Sequence, residues 1–403
     1  MKKILFFTSA RSDYGLLKPL IKISNNKFDT YLLVSGSHFL SNKGFTYKEI
    51  EEDMILDQNK IFKINSFNEK NDNLNLCINI GNSIKDIGKF FEDNYFDCII
   101  LLGDRYELFS VTFPALMYKI PIFHISGGEI TEGVIDDSVR HATTKLSHVH
   151  LVANKDYAKN VSLMGEEDWR ICITGENGLD NIHSNELASK EEILEKFDID
   201  LNKKSILVTY HPSTLENLSP FDQVTPILNI LKKYSRKYQL IFTGCGNEKG
   251  SDIIENEIKK FVDINKNCFF ISHFGIKNYL KVLQNSSMVL GNSSSGIVEA
   301  PSFSIPTINV GNRQLNRLSA ESVLHCNYDE NEIEKNIKIA LSKEFKNKIL
   351  DVYNPYDPYK DGKNSERIAI AIKNALSLDK NKLITKKFIN EIDQEKWNYL
   401  LEE

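Results

Sequence analysis

The sequence predicts an α/β protein built from two doubly wound domains that face each other across a cleft. Three observations predict this fold: short apolar runs alternate with amphipathic segments from end to end, the chain has 403 residues, and a polar stretch near Gly175–Lys190 interrupts the pattern. Alternating strands and helices form parallel sheets that helices cover on both faces. A chain of this length has room for two such units, each with its own core.

The predicted strands are short apolar runs, and amphipathic segments separate most of them. The strand predictions are Ile4–Thr8, Thr30–Ser35, Cys98–Leu102, Ile120–Ile125, Val149–Ala153, Ile171–Thr174, Ile206–Tyr210, Leu240–Thr243, Cys268–Ile271, Met288–Leu290 and Thr307–Val310. The helix predictions include Leu16–Ile23, Leu108–Tyr118, Ile227–Lys237 and Ile253–Phe261. Near the C terminus, Ser365–Leu376 is predicted to be a helix with Ser365 as its N-cap, and Lys382–Glu403 is predicted to be helical as well.

Composition places the chain among cytoplasmic globular proteins. Hydrophobic residues make up 41% and charged residues 26%, and the formal net charge of -5 disfavours nucleic acid as a partner. The six cysteines form no CxxC pair, which indicates free thiols in a reducing compartment and no cysteine metal site. No run approaches the roughly 20 apolar residues of a membrane helix, and the apolar start MKKILFF is too short for a signal peptide.

The most informative stretch is Phe96–Glu129, which has the pattern of a βαβ unit. Its two predicted strands end in Gly103-Asp104-Arg105 and in His124-Ile125-Ser126-Gly127-Gly128-Glu129. Active groups of such units lie at the carboxyl ends of the parallel strands. We therefore expect carboxylates, a guanidinium, an imidazole and bare glycine backbone in one crevice, which suits an anionic substrate that undergoes proton transfer.

The loop Thr8–Gly15 follows the first strand and contains Arg11. A loop that leads into a helix offers free N–H groups to an anion, and Arg11 adds a positive charge. A solvated βα loop is an equally good interpretation of this stretch. The loop lacks the three-glycine dinucleotide fingerprint, so a nicotinamide cofactor is disfavoured.

The segment Gly291–Ala300 follows another predicted strand and resembles a phosphate-binding turn. Its small residues let a phosphate approach the backbone, and the hydroxyls of Ser293 and Ser294 can donate to phosphate oxygens. Glu299 is expected about one turn inside the following helix, where it could bind a ribose diol, and Arg313 could neutralise the diphosphate. The alternative is a serine-rich helix cap in which Glu299 only forms a salt bridge.

A predicted helix over Asp136–His148 places Asp137, Arg140, His141, Thr144 and His148 on one face. Ion pairing along a solvated surface is the strong alternative for each charge. Closeness to the glycine turn favours functional roles for Asp136 and Arg140. His148 and His150 are interpreted as structural histidines because no further metal ligands cluster near them.

Tyr210-His211-Pro212 ends another predicted strand. The proline fixes the chain, so His211 is a candidate to face a phosphate or a leaving group, although a lone histidine is usually only packed.

The order of these motifs resembles the hydrolysing UDP-N-acetylglucosamine 2-epimerases, including the bacterial enzymes of sialic and legionaminic acid synthesis. The matching motifs are RSDYG, GDRYE, HISGGE, IDDSVRHATTKLSH, YHP, GNSSSGIVE, INVGNRQ and NPYDPYKDGKNSERI. They run from about Met1 to about Leu376, so the last segment, Lys382–Glu403, lies outside the resemblance.

The resemblance implies a glycosyltransferase-B-like fold. It implies a sugar-binding Rossmann-like domain over 1–180, a UDP-binding one over 181–360, a crossover helix over 361–380 that packs back on the first domain, and an extension over 381–403. The reaction it implies converts a UDP-sugar and water to UDP and the free 2-epimeric sugar, through elimination to a glycal and then hydration. It needs no metal and no cofactor. We expect no membrane partner and a homodimer or homotetramer.

The resemblance also assigns roles to residues. The catalytic candidates are Asp104, Glu129, Asp136 and His211. The substrate- and nucleotide-binding candidates are Arg11, Arg105, Arg140, Ser293, Ser294, Glu299 and Arg313.

Ser126 departs from the family pattern. Many relatives have a glutamate at this position that is treated as a catalytic carboxylate, and a serine cannot serve as that base. Glu129, Asp136 or a bound water would then take over. The alternatives in function are the same reaction on a 2,4-diacetamido-2,4,6-trideoxy sugar, a non-hydrolysing epimerase, a glycosyltransferase, or a nucleotide-sugar sensor.

Overall fold

The computed structural model describes residues 1–41, 44–70, 72–132, 134–183, 187–213, 216–245 and 248–402. The chain divides into two units. Unit 1 comprises Met1–Glu129, Asp136–Asp180 and Tyr359–Glu403, and unit 2 comprises Ile130–Ile135 and Asn181–Pro358. Each unit contains one parallel sheet, so the prediction of an α/β protein with two doubly wound sheets is confirmed.

The sheet of unit 1 has seven parallel strands in the order β3-β2-β1-β4-β5-β6-β7. The strands are β1 (Lys3–Thr8), β2 (Asp29–Val34), β3 (Ile61–Lys63), β4 (Cys98–Leu102), β5 (Ile122–Ile125), β6 (Val149–Val152) and β7 (Ile171–Ile173). Every residue of β4, β5 and β6 is buried, as expected for central strands covered on both faces.

The sheet of unit 2 has six parallel strands in the order β10-β9-β8-β11-β12-β13. The strands are β8 (Ser205–Thr209), β9 (Gln239–Thr243), β10 (Cys268–Ile271), β11 (Met288–Gly291), β12 (Thr307–Val310) and β13 (Val323–Cys326). Both sheets therefore start in the middle, build outward to one edge, and then return to build the other half.

Helices cover both faces of each sheet. They are α1 (Arg11–Asn25), α2 (Tyr47–Glu52), α3 (Asn73–Asp93), α4 (Phe109–Met117), α5 (Asp136–Leu146), α6 (Lys155–Leu163), α7 (Asp180–His183), α8 (Lys190–Phe197), α9 (Pro220–Tyr234), α10 (Ser251–Ile264), α11 (Ile276–Asn285), α12 (Ser295–Val298), α13 (Glu330–Leu341), α14 (Lys343–Lys348), α15 (Asn364–Ala375) and α16 (Lys380–Ile384). Helix α15 packs against α1 and contributes Ile368 and Ile372 to the core of unit 1.

Two short strands were not predicted from the sequence, and the reason is their position. β3 has three residues at one edge of its sheet, and β13 forms an edge of the other sheet and is only partly buried. Edge strands carry fewer apolar residues, so the hydrophobic pattern that marks a central strand is weak there. Ser365 is the second residue of α15 rather than its N-cap, which is Lys363.

The prediction of a helical C-terminal segment was largely wrong. Among the described residues after α16, which end at 402, the helical structure is limited to two 3-10 turns, Gln394–Lys396 and Tyr399–Leu401. The segment instead covers the β7 edge, where Asn398 N donates to Ile171 O at 2.9 Å and Asn398 Oδ1 accepts from Ile173 N at 2.6 Å. Its apolar residues Trp397 and Leu400 are buried against unit 1. Tertiary contacts, rather than helix propensity, therefore determine its conformation.

Candidate active site

The strand order of each sheet places a switch point at its centre. In unit 1 the chain leaves β1 and β4 in opposite directions, and in unit 2 it leaves β8 and β11 in the same manner. Loops at the carboxyl ends of such neighbouring strands leave a crevice between them, which is where open α/β sheets bind ligands. The predicted site residues of both units follow these strands or their neighbours.

In unit 1 a buried ion pair joins two predicted site residues. Asp104 follows β4, and its Oδ2 accepts from Arg140 Nη2 on α5. The Arg140 side chain is only 3% exposed, and its Nη1 also donates to the backbone carbonyl of Glu129 at 3.1 Å. Arg140 thus fixes the Asp104 carboxylate and the end of the glycine turn together. The predicted grouping on one face of α5 is confirmed for Asp137, Arg140 and His141, since Asp137 lies 4.0 Å from Arg140 and 3.3 Å from His141. Arg140 is buried on that face, and His148 lies beyond the end of α5.

His124 on β5 links the end of β4 to helix α5. Its Nε2 lies 2.7 Å from the carbonyl of Gly103, and its Nδ1 lies 3.1 Å from Thr144 Oγ1. Burial lowers the pKa of His124 to about 3, so the ring is neutral at pH 7. A neutral ring satisfies both contacts when Nε2 donates to the carbonyl and Nδ1 accepts from the threonine.

The other predicted arginines of unit 1 have acidic partners. Arg11 is the first residue of α1, and its Nε lies 2.7 Å from Glu49 Oε2. Arg105 Nη2 lies 2.9 Å from the buried Glu107, and its Nε lies 3.9 Å from Asp13. Burial raises the pKa of the Asp13 carboxyl, and the nearby Arg105 partly offsets that rise. An incoming anion would therefore meet guanidinium groups that are already oriented.

Ser126 ends β5 and contacts a carboxylate that the sequence analysis did not single out. Ser126 Oγ lies 2.9 Å from both carboxylate oxygens of Glu176, which follows β7. Glu129 is buried at the end of the same glycine turn, and Asp136 is the half-buried first residue of α5. Four acidic side chains of unit 1 thus belong to strand-end loops or the α5 start: Asp104, Glu129, Asp136 and Glu176.

In unit 2, Asn292 links the ends of β8 and β11. Its Oδ1 accepts from His211 N and its Nδ2 donates to His211 O, both at 2.7 Å. Arg313 Nη1 and Gln314 Nε2 donate to the carbonyl of Asn292 at 3.2 and 3.0 Å, and Arg313 also pairs with Glu248 at 3.1 Å. Burial, together with the nearby charge of Arg313, lowers the pKa of His211 to about 4. His211 is therefore a neutral, proton-accepting imidazole at pH 7.

The serine-rich turn after β11 is tighter than the sequence predicted. Gly291 has φ +145°, and a Cβ there would lie 1.9 Å from the carbonyl oxygen of Thr209, so only glycine fits. Helix α12 is a single turn and Glu299 is its C-cap, so Glu299 lies one turn after the helix start, as expected, but at the end of the helix and not inside it. Ser293 and Ser294 are half-buried ahead of that turn.

Glu299 lies in a largely apolar setting near Tyr279. Burial raises the pKa of Glu299, and the hydroxyl of Ser295 opposes the rise. Tyr279 OH donates to Ser295 Oγ at 2.7 Å, and Glu299 Oε2 has no hydrogen-bond partner. A carboxylate with an unfilled acceptor of this kind can accept a hydroxyl from a ligand.

The structure brings together some predicted residues and adds others. It joins Asp104, Arg140 and the Glu129 backbone in unit 1, and His211 and Arg313 through Asn292 in unit 2. The sequence analysis missed Glu176 as a site residue, although a carboxylate two positions after a predicted strand is the signal that drew attention to Asp104. It treated Gly175–Lys190 only as a break between domains.

The described part of the chain contains neither a metal-binding cluster nor a membrane-spanning helix. Among those residues, no group of three or more histidine, cysteine, aspartate or glutamate side chains is arranged to hold a metal ion. No helix among them is long and apolar enough to span a membrane.

Two Rossmann-like units with polar, charged strand ends define an α/β protein of the glycosyltransferase-B-like kind. The sequence profile of the UDP-N-acetylglucosamine 2-epimerase family matches residues 22–373. The chain is 33% identical over 359 residues to polysialic acid biosynthesis protein P7 of Escherichia coli, which covers 88% of this chain and 90% of that protein. It therefore belongs to the UDP-N-acetylglucosamine 2-epimerase family.

Two further comparisons agree with this assignment. GDP/UDP-N,N'-diacetylbacillosamine 2-epimerase (hydrolyzing) of Campylobacter jejuni is 31% identical over 348 residues, which covers 86% of this chain and 89% of that protein. The crystal structure of UDP-GlcNAc 2-epimerase from Neisseria meningitidis bound to UDP-GlcNAc superposes with a TM-score of 0.78 at 19% identity, over 94% of this chain and all of that one. At that identity the structural likeness shows the fold alone.

Proposed function

We propose that this chain is a hydrolysing UDP-N-acetylglucosamine 2-epimerase. It converts UDP-GlcNAc and water to UDP and N-acetylmannosamine, by anti elimination of UDP to 2-acetamidoglucal followed by hydration. The product would feed synthesis of sialic-type acids and surface polysaccharide. The observation that carries the proposal is the pairing of the half-buried Asp104 with the buried Arg140 at the end of β4, beside the glycine turn after β5, in a chain of this family.

The acidic residues of unit 1 suit chemistry on the sugar. Elimination removes a proton from C2 as the diphosphate leaves C1, and hydration returns a proton to C2 from the other face. Both steps need positioned acid–base groups. We assign these acid–base roles to Asp104, Glu129 and Asp136. Arg140 bonds both the Asp104 carboxylate and the backbone carbonyl of Glu129, and so fixes the positions of these two segments.

The residues of unit 2 suit the nucleotide. Arg313 and the hydroxyls of Ser293 and Ser294 can neutralise and bind a diphosphate, and Glu299 can accept from a ribose hydroxyl. His211 is neutral at pH 7 and can donate a hydrogen bond to the departing diphosphate without adding a second positive charge beside Arg313. In unit 1 we assign Arg11 and Arg105 to the anionic part of the substrate.

The name of the C. jejuni relative supports the hydrolysing reaction, since that protein is named as a hydrolysing 2-epimerase of a diacetamido sugar nucleotide. The E. coli relative is named for polysialic acid biosynthesis. The family is named for UDP-N-acetylglucosamine, which favours UDP-GlcNAc as the substrate. The diacetamido-trideoxy sugar nucleotide is the second candidate.

The test is incubation of the purified protein with each sugar nucleotide in D₂O, with no acceptor present. We expect UDP in the ³¹P spectrum and free N-acetylmannosamine carrying deuterium at C2 in the ¹H spectrum. Turnover of the trideoxy substrate alone would overturn the UDP-GlcNAc assignment. UDP-ManNAc without free UDP would identify a non-hydrolysing epimerase.

Two outcomes would place the protein in other classes. UDP release that requires an added sugar acceptor would identify a glycosyltransferase, and binding of the sugar nucleotide without turnover would identify a sensor. We expect neither, because the acidic strand ends of unit 1 are suited to proton transfer on the sugar itself.

A further inference from the structure

The closest contact between polar side chains at the end of β5 joins Ser126 to Glu176. Ser126 Oγ lies 2.9 Å from Oε1 and 2.9 Å from Oε2, and each residue is 7% exposed. An ionised carboxylate only accepts hydrogen bonds, so the serine donates its hydroxyl proton towards Glu176. The serine oxygen keeps its lone pairs for a group on its other side.

The backbone on both sides of this contact is constrained to produce it. Ser126 has φ +62°, a left-handed conformation that is unfavourable for a serine and redirects its side chain at the end of β5. Gly175 has φ +81°, and a Cβ there would lie 2.3 Å from Asn364 Oδ1. Asn364 Nδ2 in turn donates to the carbonyl of Glu176 at 3.0 Å. Helix α15 thus holds the segment that presents Glu176.

The contact stands at the carboxyl end of the sheet, beside the other acidic groups. Gly103 N donates to Ile125 O at 3.0 Å, so the segments that carry Asp104 and Ser126 leave adjacent strands side by side. The strained backbone of Ser126 orients its hydroxyl towards a carboxylate at a strand end. Backbone strain of this kind is typical of functional rather than purely structural positions.

We propose that Ser126 and Glu176 act as one proton-accepting pair in the elimination step, an inference that rests on the proposed function. The C2 proton of the sugar passes to Ser126 Oγ as the hydroxyl proton of Ser126 passes to Glu176. The C2–H electron pair becomes the C1–C2 double bond, and the C1–O bond breaks with its electrons on the departing diphosphate oxygen. Glu176 then loses its proton to solvent, and serine is unchanged.

The direction of transfer follows from the donor and acceptor roles in the contact. Ser126 donates to Glu176, so in the proposed pair Glu176 acts as an ionised acceptor and the pair has no proton to deliver beyond the serine hydroxyl itself. The first step of turnover, removal of the C2 proton, needs this form. The later delivery of a proton to C2 is left to the other acidic groups of unit 1.

The test compares Glu176→Gln with the wild-type protein in two reactions: UDP release from the sugar nucleotide, and hydration of 2-acetamidoglucal. The glutamine keeps an acceptor for Ser126 but no proton-accepting charge. We expect kcat for UDP release to fall by about 10²–10⁴, with KM within about threefold and glycal hydration within about threefold. Equal kcat in wild type and variant would overturn the proposal, as would loss of glycal hydration with UDP release intact.

Moving the carboxylate provides a rescue experiment. Ser126→Glu combined with Glu176→Gln places a carboxylate directly at the end of β5, and we expect at least tenfold recovery of kcat over Glu176→Gln alone. Ser126→Ala removes the proton carrier and should lower kcat for UDP release while sparing UDP binding. If Ser126→Ala left kcat unchanged, transfer through the serine would be refuted, also where Glu176→Gln fails to fold.

Glu166→Gln is the matched control. Glu166 is a buried carboxylate of the same unit, 1% exposed, but it precedes β7 instead of following it and bonds His150 and Lys145. We expect its kcat to stay within about threefold of wild type. Failure of the proposed function is distinguishable from failure of this inference. In the first case the wild-type protein releases no UDP, and in the second the wild-type protein releases UDP and the Glu176 and Ser126 variants release it equally fast.

Discussion

Replacement of Asp104 by asparagine tests the acidic end of β4 directly. Asparagine keeps the size of the side chain and an oxygen for Arg140, but it removes the negative charge. Arg140 then remains buried, with Asp137 Oδ1 4.0 Å from its Nη1. We expect Asp104→Asn to retain UDP binding, because the residues that we assign to the nucleotide do not include Asp104, and to lose most turnover.

The expected loss of turnover and the expected loss of stability in Asp104→Asn both have a definite size. Loss of a proton-transfer group lowers kcat by about 10²–10⁴, which corresponds to about 3–5 kcal/mol in activation free energy. Breaking a buried ion pair costs about 3–5 kcal/mol of stability. Asp104 is 28% exposed and asparagine still accepts from Arg140, so we expect the free energy of unfolding to fall by only about 1–3 kcal/mol.

The assay measures formation of the free 2-epimeric sugar at saturating substrate, UDP affinity by calorimetry, and stability by urea unfolding. Asp97→Asn is the control, because Asp97 precedes the same strand and accepts from Lys3 N at 2.8 Å at its opposite end. We expect its kcat to stay within about threefold of wild type. Full activity of Asp104→Asn would remove Asp104 from the acid–base groups, and a parallel loss of UDP binding would refute the separation of Asp104 from the nucleotide-binding residues.

Three further predictions concern stability and nucleotide affinity. Burial lowers the pKa of His38 and His124 to about 3, so the stability from their neutral forms is complete above about pH 6.5 and is lost as the pH falls towards 3. At pH 5 each of the two histidines lowers the free energy of unfolding by about 2 kcal/mol. Equal free energies of urea unfolding at pH 7.5 and at pH 5 would contradict this prediction. Lys386→Met should lower the free energy of unfolding by about 2–4 kcal/mol without changing kcat, because its ammonium contacts the buried Glu166 at 2.7 Å; unchanged unfolding would argue against that contact. Arg313→Lys should raise the Kd for UDP about tenfold by calorimetry, since lysine cannot form the forked contact; unchanged affinity would exclude Arg313 from the diphosphate site.

The central strands were predictable because they are buried on both faces and therefore uniformly apolar. The predictions for the central strands β4 and β12 match the structure residue for residue. β10 was also predicted residue for residue although it is a half-buried edge strand, because its sequence is apolar throughout. β13 was not predicted, since an edge strand is apolar on few positions. The C-terminal segment was misassigned because its Trp397 and Leu400 suggest an amphipathic helix, whereas the open edge of β7 accepts its backbone instead.

The candidate site, like the fold, was predictable from the sequence only in part. Asp104 and Ser126 could be placed at strand ends from the sequence, because the carboxyl ends of parallel strands carry functional loops. The contact of Ser126 with Glu176 could not, because 50 residues separate the two along the chain.

The sequence by itself determined the two parallel sheets and the loops that carry polar groups, because burial on two faces and turn chemistry are local properties of the chain. Only the tertiary structure decided which of those groups touch. The pairing of Asp104 with Arg140 and of Ser126 with Glu176 depends on the strand order and on the positions of α5 and α15. The spacing of residues along the chain determines neither the strand order nor those positions.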